Sequence, residues 1–247
     1  MPAHPDPSCT LRNRLRFIVT MGAVFGIVVG AYLILAQAYT DHRRATAPLP
    51  EAERRTDACS LWFIGSSTIF KWSTLAADMA PWDAHNRGVN GAIIPQITGW
   101  LANEPPGPPP AAIVLYGGEN DIDGGDTGAQ TLMSLDRFLA LKTRRYGSLP
   151  VIAISLKPSP ARWSERPQQI VFNDGLRRLA AGRDDLHVVD IQSSMLVNGR
   201  PGPFYVADGI HMNAIGYARW TARLRPALTN ILPADTMVRC RTIADRR

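Results

Sequence analysis

Five short strand-like runs recur along the chain, at about residues 61–66, 85–89, 111–116, 150–155 and 186–191. Most are continuously apolar rather than alternating, as expected of strands buried on both faces. Between them lie segments of helical periodicity, predicted at about 68–79, 94–103, 127–147, 166–182 and 213–228. The third helix is the best marked. Thr127 with Gln130 three places on forms a capping-box pattern, Leu132, Leu135, Phe138 and Leu139 supply an apolar stripe, and Gly147 ends it. Glu104-Pro105-Pro106-Gly107-Pro108-Pro109-Pro110 reads only as a loop. Strands separated by helices, repeated about five times, imply an α/β domain with a parallel sheet covered on both faces.

The first run breaks in an informative way. Leu61-Trp62-Phe63-Ile64 leads into Gly65-Ser66-Ser67-Thr68. Gly65 permits a tight turn, and the hydroxyl residues suit the start of the next helix. A serine there stands at the carboxyl edge of the sheet, where open parallel sheets bind ligands, and near the positive end of a helix dipole.

One stretch lies outside this pattern. Phe17 to Ala38 holds no charged residue over 22 positions, enough to cross a bilayer as a helix, and follows Arg12, Arg14 and Arg16. Ala36-Gln37-Ala38 also fits the small-x-small pattern before a signal-peptidase site, so the segment is either an anchor or a long signal peptide. The expected layout is a short cytoplasmic segment (1–16), a transmembrane anchor or signal segment (17–38), a linker (39–58), the α/β domain (59–232) and a tail (233–247). The domain is therefore expected outside the cytoplasm, membrane-anchored, or secreted if the chain is cut near Ala38. Cys59 and Cys240 either form a disulfide tying the ends of the domain or remain free thiols.

Charge excludes one class of partner. The net charge is +6, but residues 1–58 contribute +2 and residues 239–247 contribute +3, leaving +1 for the rest. A nucleic-acid binder would carry a basic stripe on its folded face. Its absence argues against nucleic acid as a partner. No phosphate-binding glycine pattern and no Gly-x-Ser-x-Gly elbow occurs. His85 and His187 lie in strand-like segments without a second ligand at metal spacing, so they read as structural, and no metal or cofactor is expected.

Four polar signals fall at strand ends or in the last loop: Ser67, Gly91, Asn120, and Asp208 with His211. Acyl transfer to a serine needs a nucleophile, a base, a group to orient the base, and donors for the tetrahedral oxyanion. Ser67, His211 and Asp208 fill the first three places. The Ser67 and Gly91 backbone N–H groups and the Asn120 side-chain amide supply the donors.

The blocks Gly65-Ser66-Ser67-Thr68-Ile69, Asn86-Arg87-Gly88-Val89-Asn90-Gly91, Gly118-Glu119-Asn120-Asp121 and Asp208-Gly209-Ile210-His211 resemble, in that order, the four blocks of the SGNH hydrolases, or GDSL esterase and lipase family. With Ser66 in place of the usual Asp, the first block is similar to the branch that reads Gly-Ser-Ser. The resemblance spans about residues 60–225 and implies a three-layer, flavodoxin-like α/β sandwich and hydrolysis of carboxylic esters without metal or organic cofactor. The family's four named residues map to Ser67, Gly91, Asn120 and His211. Glu119 stands where a second glycine is common, which puts a carboxylate beside the oxyanion site. Ser155 to Trp163 also resembles the branch, without assigning a role to Arg162 or Trp163.

The function expected is that of a serine esterase acting on an ester-bearing small molecule, lipid or glycan through an acyl-enzyme. The alternatives are an envelope polysaccharide O-acyltransferase of the same fold and a non-catalytic carbohydrate-binding domain. Specificity is expected to lie in the loops at 92–110, 156–165 and 192–207.

Overall fold

The computed structural model describes residues 21, 25–39, 43 and 45–244. The chain divides into two units, Met1–Thr46 and Ala47–Arg247. In the first, residues 25–39 are helical. Among the described residues no helix is long and apolar enough to cross a membrane. Of the predicted 17–38 span, residues 17–20 and 22–24 lie outside the described residues, as does all of 1–16.

The second unit is built on five parallel strands, β1 Ser60–Gly65, β2 Asp83–Gly88, β3 Ala112–Tyr116, β4 Val151–Ile154 and β5 Leu186–Val189, in the order β2-β1-β3-β4-β5. β1, β3 and β4 are buried along their whole length, which is why they read as unbroken apolar runs. Both faces are covered by helices: α1 Ser67–Phe70, α2 Leu75–Met79, α3 Ile94–Ala102, α4 Glu119–Asp123, α5 Gly128–Tyr146, α6 Arg166–Ala181, α7 Ala214–Ile231 and α8 Thr236–Ala244. A two-stranded ribbon, Leu196–Val197 with Arg200–Pro201, lies in the loop after β5. α5 begins at the predicted Thr127–Gln130 capping box and buries Leu135, Phe138 and Leu139. α7 buries Tyr217, Trp220, Leu224 and Leu228, spaced three and four apart to make one face.

The single helix predicted over 68–79 is two. The Asn86 side chain of β2 donates to the Ile69 carbonyl at 2.8 Å and so ends α1. Asp78 then accepts from the Trp72 indole and the Thr74 hydroxyl, both at 2.6 Å, and organises the start of α2. The last predicted helix, α7, runs three residues beyond the predicted Leu228 and continues through Pro226.

Two segments expected to flank the domain pack on it. From Ala47 the linker is ordered against β2: Leu49 is buried, and Arg87 donates to the Pro50 and Leu49 carbonyls at 2.6 and 3.3 Å. The tail forms α8, and its Cys240 is joined to Cys59, immediately before β1, in a disulfide with a Cα separation of 5.6 Å.

At the carboxyl edge of the sheet the backbone is tightly packed. A Cβ on Gly65 would lie 2.2 Å from the Tyr116 carbonyl oxygen, and one on Gly88 would lie 2.3 Å from the Phe70 nitrogen. Glycine at both places lets α1 sit directly on the ends of β1 and β2.

Candidate active site

Ser67 is the first residue of α1, with Ser66 extended before it as N-cap. It is 8 % exposed, and its hydroxyl oxygen lies 2.9 Å from His211 Nε2. His211 is carried by the turn after Val206, which is held by Val206 N donating to the His211 carbonyl at 2.9 Å. Asp208 Oδ2 lies 2.6 Å from His211 Nδ1, while Oδ1 accepts from the Ile210 and His211 backbone N–H groups at 2.8 and 2.9 Å. Burial would raise the Asp208 pKa, but those hydrogen bonds outweigh it and hold the carboxyl well below the usual range. A carboxylate on Nδ1 requires the proton there, which leaves Nε2 as the acceptor facing the Ser67 hydroxyl. Lys71 Nζ stands 3.4 Å from Nδ1 and makes no ion pair among the described residues.

Each donor expected for an oxyanion at Ser67 has an N–H to spare among the described residues. The backbone N–H of Ser67, at the open end of α1, and that of Gly91 in the left-handed region (φ +74°) bond to nothing among the described residues. Asn120, on α4 after β3, uses one amide N–H on the Ala92 carbonyl at 2.9 Å and accepts from Arg162 Nη1 at 3.0 Å. The second Asn120 N–H has no acceptor among the described residues. The carboxylate of Glu119 is buried against Lys157 Nζ, at 2.9 and 2.6 Å, instead of standing open beside these donors. Burial lowers the Lys157 pKa and the Glu119 charge opposes it.

Asp121 ties the two loops together. Its carboxylate accepts from Ile94 N at 3.0 and 3.2 Å, joining the start of α3 to α4. Burial pushes its pKa up to about 6, against that N–H bond. A carboxyl raised in the folded state contributes most below its unfolded pKa, and that contribution is lost as pH rises through the folded value. Asp121 should therefore weaken the domain by about 3 kcal/mol between pH 4 and pH 6. Denaturation of Asp121→Asn against pH checks this: its stability relative to wild type should rise across that window, and a constant difference would contradict it.

Residues 65–219 match the family profile of the GDSL-like lipase/acylhydrolases. The chain belongs to that family. A search of curated proteins returned no match. Among solved structures, one from Streptococcus pneumonia superposes with a TM-score of 0.66 at 18 % identity, covering 83 % of this chain and 99 % of its own. A lipase/acylhydrolase from Enterococcus faecalis gives 0.58 at 22 % identity (70 % and 97 % covered). A carbohydrate esterase family 3 protein from Talaromyces cellulolyticus gives 0.55 at 15 % (70 % and 97 %). At these identities the likeness shows the fold, and the family membership shows an ester-hydrolysing enzyme.

In this acylhydrolase the sequence-predicted residues Ser67, Asp208 and His211 form one hydrogen-bonded chain, with Asn120 bound to Ala92 next to Gly91. Trp72 and Trp220 are packed in the core, and His85 is buried with its pKa lowered by burial, as a structural histidine would be. Asp190, just after β5, is bonded to Ser155 and Arg177. Sequence reasoning gives Lys157 and Arg162 no place in the site. Their signals are position, since they follow β4 at the same sheet edge as Ser67 and Asn120, and the resemblance of the Ser155–Trp163 stretch to the branch. A half-open hollow of about 600 Å³, lined by Arg54, Trp62, Glu104, Pro106 and Tyr146, contains none of the site residues and lies toward the opposite, amino end of β1.

Proposed function

We propose that this acylhydrolase cleaves carboxylic esters through an acyl-enzyme on Ser67. The observation that carries the reading is the unbroken chain Asp208, His211, Ser67, at 2.6 and 2.9 Å. Ser67 Oγ attacks the ester carbonyl carbon while His211 Nε2 takes its proton, and Asp208 stabilises the imidazolium that forms. The carbonyl oxygen becomes an oxyanion, held by the Ser67 and Gly91 backbone N–H groups and the free Asn120 N–H. Collapse breaks the ester C–O bond, and the leaving alcohol takes the proton from His211. Water then repeats the sequence: His211 accepts its proton, hydroxide adds to the acyl carbon, and Ser67 leaves with that proton as the acid is released.

The acceptor in the second half is either water or a sugar hydroxyl. His211 and Asp208 are partly exposed at the rim, which leaves room for an acceptor larger than water, and the carbohydrate esterase shares the fold. The same reading has the domain outside the cytoplasm. The Cys59–Cys240 disulfide suits an oxidising compartment, and the charge-free 17–38 segment would anchor or export it.

A series of nitrophenyl esters of increasing acyl length, each run with and without polysaccharide acceptors, tests the reaction. Hydrolysis of at least the short esters is expected, and an acyltransferase would instead transfer label to the glycan. A folded protein that turns over no ester and labels no acceptor would leave the non-catalytic reading.

A further inference from the structure

We infer that Arg162 is a positioning residue for the oxyanion donor: it fixes the Asn120 amide so that one N–H faces the reacting carbonyl, and it strengthens that N–H. The inference rests on the proposed Ser67 chemistry and adds a residue to it.

The Asn120 amide is specified from both ends. Its Oδ1 accepts from Arg162 Nη1 at 3.0 Å and its Nδ2 donates to the Ala92 carbonyl at 2.9 Å. Turned end for end, the amide would set its NH2 against a guanidinium and its oxygen against a carbonyl, so both partners select one orientation. The remaining N–H has no acceptor among the described residues, and it is the one the oxyanion would take. A hydrogen bond from a charged donor is roughly twice as strong as a neutral one. On the amide oxygen it also draws density from the nitrogen, making the free N–H a better donor.

Arg162 is itself held. It is buried, and its Nη2 lies 2.8 Å from Asp123 Oδ2, so its two terminal nitrogens span Asn120 and Asp123 of one short helix. The loop that carries it also carries Lys157, which holds Glu119, and Ala161 N donates to the Gly209 carbonyl at 3.1 Å inside the Asp208–His211 turn. One loop therefore abuts both halves of the site. The planar fork explains why the residue is Arg: an ammonium reaches one partner as a point charge, without the paired geometry.

The test is a mutant cycle read by kcat and KM on a nitrophenyl ester and by the rate of Ser67 labelling with a fluorophosphonate. Asn120→Ala should lower kcat about 100- to 1,000-fold. Arg162→Ala should lower kcat and the labelling rate about 10- to 100-fold with KM within about twofold, and Arg162→Lys should recover part of the loss. In the Asn120→Ala background, Arg162→Ala should add less than about twofold, because the amide it orients is gone. An equal loss in both backgrounds, or a loss confined to KM, would overturn the inference. If Arg162→Ala does not fold, Asp123→Ala runs the same cycle, since it releases only Nη2 from a side chain that is 52 % exposed. Its smaller loss should likewise vanish beside Asn120→Ala, and persistence there counts against the inference. Wild-type protein without Ser67-dependent labelling refutes the Ser67 chemistry and this inference with it. An active wild type with additive losses refutes the inference alone.

Discussion

Ser67→Ala and His211→Ala are each expected to lower kcat for ester hydrolysis by about a million-fold, and the double variant is expected to be no worse than either. In the proposed mechanism the two groups act in one step. Without Oγ there is no nucleophile for the base to activate, and without Nε2 the proton on Oγ has no acceptor at the 2.9 Å position. Asp208→Asn should fall short of that, at about 10,000-fold. An asparagine keeps an acceptor for the Ile210 and His211 backbone N–H groups, but its NH2 would face Nδ1 and force the other tautomer, leaving Nε2 protonated toward Ser67. Steady-state kinetics on one nitrophenyl ester, with circular dichroism to show that each variant folds, decide the matter. Multiplicative losses in the double variant would mean that the two side chains do not work as a unit.

Reducing the Cys59–Cys240 bridge is expected to produce the largest loss of stability. It joins residues 181 apart, and in the chain-entropy picture closing so long a loop contributes up to about 5 kcal/mol. At about 2–4 °C per kcal/mol for a domain of this size, Tm should fall by roughly 10–20 °C. Activity at room temperature should survive. Cys59 precedes the amino end of β1, and six strand residues separate it from the turn bearing Ser67, about 20 Å along the strand. Calorimetry with and without reductant, and of Cys59→Ser/Cys240→Ser, measures the effect. An unchanged Tm would mean that α8 contributes nothing through the bridge.

These two features are legible in the sequence to different degrees, for physical reasons. Strands such as Leu61–Ile64 and Ala112–Tyr116 announce themselves because both faces are buried, and the glycine and hydroxyl residues after them mark the sheet edge where Ser67 and Asn120 lie. Asp208 and His211 are three apart in one turn, so their contact is a local property of the chain. The break between α1 and α2 is not local: the Asn86 side chain that ends α1 comes from β2, 17 residues on. The same holds for Lys157 and Arg162. A lysine or arginine after a strand reads as a solvated charge until Glu119 and Asn120, 38 and 42 residues away, are known to lie beneath it. The tail helix is hard to read from sequence because it is only nine residues long, with Arg239 and Arg241 set among its apolar positions, and the bridge to Cys59 is its covalent tie to the domain.

The most direct measurement is mass spectrometry of the protein after reaction with a fluorophosphonate. A single adduct is expected, on the peptide containing Ser67, absent from Ser67→Ala and greatly slowed in His211→Ala. An adduct on another residue, or one that persists undiminished in Ser67→Ala, would contradict the assignment of Ser67 as nucleophile and with it the mechanism built on the Asp208–His211–Ser67 chain.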